Sequence, residues 1–158
     1  MQTRLRREEL ALTAQEAWEI IRQGEIGYLA TVDAKGEPYG VVLNHAVEGE
    51  EIFFHCAAKG HKLDNIRANP RVCYTVVGVH QVLAEKMSAY YRSAVAFGDA
   101  RIVTDDAEKR KGLRLLMEKY SPGYVCSSLE SPKPDLRTVV VAIRVDRITG
   151  KRSADKAD

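Results

Sequence analysis

The chain has 158 residues, 45% of them hydrophobic and 29% charged, a size and balance that suit one globular domain spanning 1–158 with a core at about 13–152. Its 24 basic and 22 acidic side chains leave a net charge of +2, too small a field to mark a nucleic-acid or membrane-surface binder. The longest apolar run, Val139 to Ile143, falls far short of the roughly 20 residues that span a bilayer as a helix.

The first twenty residues alternate charged and apolar groups, so no secretory leader is expected, and Arg4, Arg6 and Arg7 read as a solvated arm. Thr13-Ala14-Gln15-Glu16 is a capping-box pattern; Ala14, Ala17, Trp18 and Ile21 follow at helical spacing, and Gly24 is the expected stop. Ile26 to Val32 reads as a strand, turned by Asp33-Ala34-Lys35-Gly36 into a second strand over Tyr39 to Val47. Glu48-Gly49-Glu50 turns it again into a third, Ile52 to Cys56. Connections this short favour antiparallel hairpins. A short polar helix fits His61 to Ala68, closed by Asn69-Pro70 because proline disfavours helix in the residue before it.

Val72 to Val77 is strand-like, a less regular segment follows, and Ala89 to Val103 reads as one long strand bulged near Gly98. Asp105 or Asp106 caps a second long helix with Leu113, Leu116, Met117 and Tyr120 on its inner face. Residues 121–137, with Pro122, Gly123, Pro132 and Pro134, are expected to be loop. Thr138 to Ile148 is the last strand and the tail from Lys151 is expected to fray. The sum is a mainly β domain with flanking helices: a small six-stranded antiparallel barrel with helices outside it.

The stretch from Gly36 to Arg71 carries the chemistry. The third strand ends in Cys56-Ala57-Ala58-Lys59-Gly60-His61-Lys62, so small residues and cations meet where a helix begins. A helix start offers unpaired N–H groups and about half a positive charge, Lys59, Lys62 and His61 add side-chain cations, and Gly60 admits close approach. These ingredients suit a phosphate dianion. The same residues equally describe an ordinary solvated helix start, and the pattern alone leaves both readings open. Gly40 to Asn44 is an apolar strand whose backbone could hydrogen-bond the edge of a flat ring.

Glycine, proline and tyrosine at Gly36, Pro38 and Tyr39, the strand pair, and Asn69-Pro70-Arg71-Val72 together resemble the core of the pyridoxamine 5′-phosphate oxidase-like, FMN-binding split-barrel superfamily. Phe54-His55-Cys56-Ala57 with Gly60-His61-Lys62-Leu63-Asp64, Tyr90 to Arg101, and Val145 to Lys151 are similar to the 5-nitroimidazole-resistance flavoproteins within it. The resemblance implies a split β-barrel and a homodimer with FMN in clefts at the subunit interface. Carried over by position, Val41, Val42, Leu43 and Asn44 would lie along the flavin ring. His55, Cys56 and Ala57 would line it on the neighbouring strand, Lys59, His61 and Lys62 would take the phosphate, and Arg92 and Ser93 would approach from the partner. FAD or haem is the alternative cofactor.

The chain also departs from the pattern. The resemblance calls for an arginine where Gly40 stands and a lysine near His45, and for arginine and histidine substrate residues that Ile143 to Arg152 does not reproduce. Oxidation of pyridoxamine phosphate itself is therefore not expected.

His45, His55, His61 and Cys56 lack structural-zinc spacing, and no metal is expected. Cys56 has no legible base and third group to make it a nucleophile and reads as pocket lining. The three cysteines, Cys56, Cys73 and Cys126, are widely spaced with no CxxC, so reduced thiols and a cytoplasmic location are expected. Trp18 reads as core packing, and only one of Tyr90 and Tyr91 can face a cleft. No GxGxxG dinucleotide fingerprint is present.

The expected function is an FMN-dependent reductase of nitroaromatic or other small oxidised molecules, with His55 as proton donor. The alternative is a flavin- or haem-binding carrier or sensor without turnover. An oligonucleotide-binding barrel lacks the charge and aromatic ladder it would need.

Overall fold

The computed structural model describes residues 6–130 and 138–154. After a 3-10 turn at Glu8–Leu10, the elements in chain order are β1 (Ala11–Leu12), α1 (Ala14–Gln23), β2 (Gly27–Val32), β3 (Pro38–Leu43), β4 (Ala46–Glu48), β5 (Glu51–Cys56) and α2 (His61–Ala68). There follow β6 (Arg71–Leu83), a 3-10 turn (Ala84–Lys86), β7 (Ser88–Ile102), α3 (Asp106–Tyr120), the single turn α4 (Ser127–Glu130) and β8 (Val139–Arg152).

One antiparallel sheet contains every strand among the described residues, in the order β3-β2-β6-β7-β8-β5-β4, with β1 added to β8. Its strands number eight among those residues, against six expected from the sequence. The expected second strand is two, β3 and β4, because Asn44 and His45 leave the ladder. His45 is buried and its Nε2 lies 2.6 Å from the Ile21 carbonyl, a bond that turns the backbone out of line. β1 is too short to read. The segment after Val77 is not irregular: β6 continues past a register slip between Val77 and Val79 to Leu83 and pairs with β7 throughout. Likewise β8 runs through Lys151 to Arg152, held by β1 and β7. Within the expected loop 121–137, Ser127–Glu130 is a helical turn; 131–137, with Pro132 and Pro134, lie outside the described residues, as does Arg4.

The edges β3 and β4 are sequence neighbours, two residues apart, yet stand at opposite ends of the strand order. The sheet therefore curls until its edges meet at that corner and diverge beyond it, without closing. Inside the curl lie Leu29, Ile52, Phe54, Tyr74, Val76, Val141 and Ile143. α1 plugs one end with Ala17, Trp18, Ile20 and Ile21, and α2 plugs the other with Leu63 and Ile66. Full burial of each large aliphatic or aromatic side chain is worth about 1.5–3 kcal/mol, so this interior is the main source of stability. On the outside, α3 covers β5 and β8, where Phe53, Val103, Val140 and Ala142 form a second apolar layer with Leu113 and Leu115. Gly112 permits that docking: a Cβ there would come within 2.9 Å of Val140 Cγ1 and 3.1 Å of the Phe53 ring.

Among the described residues, no helix covers the outer face of β3, β2, β6 and β7. Cross-strand register there aligns Val42, Tyr28, Thr75 and Val95, and Tyr28, Val42 and Val77 are each about half exposed.

Candidate cofactor cleft

The split in the sheet is bounded by two free strand edges. Among the described residues β3 pairs only with β2, so alternate backbone N–H and C=O groups of Pro38–Leu43 face away from the sheet. β4 pairs with β5 only through Glu51 to Phe53, which leaves Phe54, His55 and Cys56 bonded to β8 on one side and free on the other. The buried corner at His45 closes one end of the gap. At the other end the Tyr39 ring of β3 meets the His61 ring of α2, centroids 4.7 Å apart.

α2 supplies that end with a particular chemistry. The N-termini of α1 and α3 are capped by side chains, Thr13 and Asp105. α2 begins on Gly60, whose φ of +150° suits glycine and which has no side chain to cap with. Gly60 O accepts from Leu63 and Asp64, so the His61 and Lys62 N–H groups are the donors of the first turn that no cap satisfies. Lys62 folds its ammonium back over the same point, 4.0 Å from where a Gly60 Cβ would sit. The nearest carboxylate on the helix, Asp64, is turned to Arg67 at 2.9 Å. A bare helix start, an adjacent ammonium and no Cβ fit the phosphate of a nucleotide cofactor, and the free edges of β3 and β5 fit the polar rim of a flat ring.

The site residues expected from sequence divide by place. Val41 and Leu43 turn inward and pack on the core, Val42 and Asn44 turn outward, and all four lie on the free edge strand or its end. Cys56 faces inward, and burial pushes its thiol up against the opposing pull of Lys62, an environment for a neutral lining group. His55 takes the opposite face and is exposed, lining a recess of about 490 Å³ with Cys56, Ala57, Ala58 and Thr138. Lys59 and His61 are exposed at the mouth. Arg92 and Ser93 do not join them within one chain. Cys56 pairs with Val139 at the start of β8, whereas Arg92 pairs with Arg152 at its end. Ser93 is on the uncovered outer face of β7, and Arg92 is on the inner one, beside a different cavity. Among the described residues, no group of three or more His, Cys, Asp or Glu is placed to hold a metal ion.

Two residues not singled out by sequence set the cleft. Asn65 Nδ2 donates to Thr31 Oγ1 at 2.9 Å, and Thr31 Oγ1 reaches the Tyr39 carbonyl at 3.3 Å, both side chains nearly fully buried. This pair pins α2 to β2 and to the free edge strand. An asparagine inside the apolar stripe Leu63–Ile66 was the available signal.

Residues 13–152 match the pyridoxamine 5′-phosphate oxidase family over most of the chain. The chain belongs to this family. Among solved structures, a protein of Bacteroides thetaiotaomicron named for 5-nitroimidazole antibiotic resistance is similar at 26% identity and a TM-score of 0.77, over 90% of this chain and 86% of that one. A Mesorhizobium loti FAD-binding protein shares the fold at 21% identity and a TM-score of 0.69, over 91% and 97% of the two chains. A FAD- and haem-binding protein of Mycobacterium smegmatis shares it at 20% identity and 0.75, over 92% and 74%. No curated protein matches the sequence. Among the described residues no helix is long and apolar enough to cross a membrane.

Proposed function

We propose that this member of the pyridoxamine 5′-phosphate oxidase family is a flavin-dependent reductase of small oxidised molecules such as nitroaromatics, working as a homodimer in the cytoplasm. The observation that carries the reading is the uncapped start of α2 under the Lys62 ammonium, at the end of a gap between two free strand edges. One anion socket of this kind suits FMN, whose single phosphate ends the molecule; FAD would have to thread a second phosphate and an adenosine past the same point. Neighbours that bind FAD, or FAD and haem, support a flavin at the coarser level.

When bound, the flavin supplies the two-electron chemistry between a reduced nicotinamide and the acceptor. The chain's own part is placement. Lys62 and the His61 and Lys62 N–H groups hold the phosphate, the free edge of β3 at Val41 to Asn44 orients the ring, Cys56 and Ala57 line it, and exposed His55 at the rim is the candidate proton donor to the acceptor. The half-exposed outer face of Tyr28, Val42 and Val77, with Ser93 beside it, supports a second copy as the cover that the helices do not provide.

Absorbance and mass spectrometry of the purified protein, as isolated and after incubation with FMN or FAD, test the reading. Flavin bands that bleach with NADH and return with a nitroimidazole are expected. No flavin retained from either cofactor overturns it, and a Soret band instead would favour the carrier reading that the M. smegmatis neighbour suggests.

A further inference from the structure

α2 is an eight-residue helix that buries Leu63, Asn65 and Ile66. Two of these are apolar. Apolar contact has no preferred direction, so Leu63 and Ile66 hold the helix against the sheet without fixing how far along it the helix sits. The third is polar and directional. Asn65 Nδ2 donates to Thr31 Oγ1 at 2.9 Å, and the Thr31 hydroxyl donates in turn to the Tyr39 carbonyl at 3.3 Å. Among the described residues this is the only side-chain hydrogen bond from α2 to the sheet. Thr31 is 1% exposed and Asn65 2%, so water cannot stand in for either partner. A leucine at position 65 would avoid the cost of burying an amide, and what the amide adds is a fixed register.

The relay joins the two sides of the cleft. Thr31 and Tyr39 are Cα partners across β2 and β3, so the chain of bonds ends on the free edge strand. At its other end Asn65 lies one turn along α2 from His61 and Lys62, about 4.5–6 Å from the uncapped N–H groups measured on the helix axis.

A ligand with its anionic group at the α2 start and its ring at the β3 edge gains from both contacts only when their separation matches its own length. The second contact is then intramolecular, and its contribution vanishes when the span and the separation differ. Hydrogen bonds hold over a narrow range, about 2.7–3.2 Å between heavy atoms. A slide of α2 by about 1 Å would therefore remove most of what the phosphate contributes.

We propose that Asn65 and Thr31 are positioning residues that set the selectivity of the cleft for phosphorylated over unphosphorylated flavin, by fixing the distance from the α2 start to the β3 edge. The inference rests on the reading of the α2 start as a phosphate socket. The binding groups remain the Lys62 ammonium, the helix N–H groups and the strand edge; Asn65 and Thr31 act through them from inside the core.

Fluorescence titration of the full-length apoprotein with FMN and with riboflavin tests it, read as the ratio of the two affinities. The unmodified chain should favour FMN by about tenfold or more. Thr31→Ser keeps the hydroxyl and should keep that ratio. Thr31→Val and Asn65→Leu should reduce it to about threefold or less, with riboflavin affinity within about threefold of the unmodified chain. Thr31→Val combined with Asn65→Leu removes both partners at once and leaves neither unmet in the core. It should recover the melting temperature that the single variants lose and leave the ratio low, a separation that a role in stability alone would not show. Lys62→Ala added to that pair should cost FMN less than about threefold. Equal affinity of the unmodified chain for FMN and riboflavin overturns the socket and the proposal with it. A preference for FMN that the double variant retains overturns the positioning role and leaves the socket standing, as does loss of the preference in Thr31→Ser. If the double variant does not fold, a preference retained in Thr31→Val, a methyl-for-hydroxyl exchange, overturns it instead.

Discussion

Replacing Lys62 with alanine isolates the electrostatics of the α2 socket. The ammonium sits beside Gly60, and among the described residues no carboxylate is paired with it; Asp64 is bonded to Arg67. A phosphate in the socket would therefore meet a charge-assisted donor that needs no prior partner broken, worth about 1.5–3 kcal/mol. The helix start survives the substitution and contributes about 0.3–1 kcal/mol of its own. FMN affinity should thus fall by about 10- to 150-fold, with residual binding kept by the N–H groups and the ring contacts. The assay is quenching of flavin fluorescence on titration of the apoprotein, run in parallel with riboflavin, which has no phosphate. Riboflavin affinity should be the same in both proteins, and the FMN difference should shrink as salt rises. A change in FMN affinity below about threefold, or an equal loss for riboflavin, refutes the socket.

Other consequences follow from the same geometry. Gly98→Ala should destabilise the fold by about 2 kcal/mol or more in chemical denaturation, since a Cβ there would lie 2.1 Å from the Arg144 carbonyl oxygen at the β7 register slip. His45 is held at about 4, chiefly by burial, and the Ile21 carbonyl only partly offsets this. The unfolded chain takes up that proton near 6.5 while the folded one does not, so stability is full above pH 6.5 and declines by about 3 kcal/mol as pH falls to about 4. Denaturation midpoints across that window should flatten in His45→Gln. Tyr28→Lys, on the uncovered outer face, should shift sedimentation from dimer to monomer while the circular dichroism of the chain is unchanged.

Local signals carried most of the fold. The capping box at Thr13 and Glu16, the helix from His61 to Ala68 before Asn69-Pro70, and the slip at Gly98 each depend on a few adjacent residues and are where the sequence puts them. What escaped is set by partners far along the chain. Asn44 and His45 look like strand, but the Ile21 carbonyl, 24 residues earlier, draws His45 into the core. Gly78 to Leu83 has no apolar alternation because one long partner, β7, holds it and no core covers both faces. Thr31 and Asn65 are ordinary polar residues until their 34-residue separation is closed. In the candidate site, residues 41–44 and 55–62 were legible because they flank one connection, the hairpin and the strand-to-helix turn. Arg92 and Ser93 were expected to approach from the partner subunit, and within one chain the pairing of β7 with the far end of β8 sets them apart from that cleft.

The position of β8 bears on how the protein is made. This strand pairs with β1, β5 and β7, and it is the last element of the sheet to leave the ribosome. Until it emerges, β5 and β7 each lack a neighbour, and Val141 and Ile143 are missing from the interior. The nascent chain therefore carries two sticky edges until β8 is made, and cooperative folding of the sheet begins only then. A chaperone that shields exposed β edges would act on this protein early, before the gap between β3 and β5 exists.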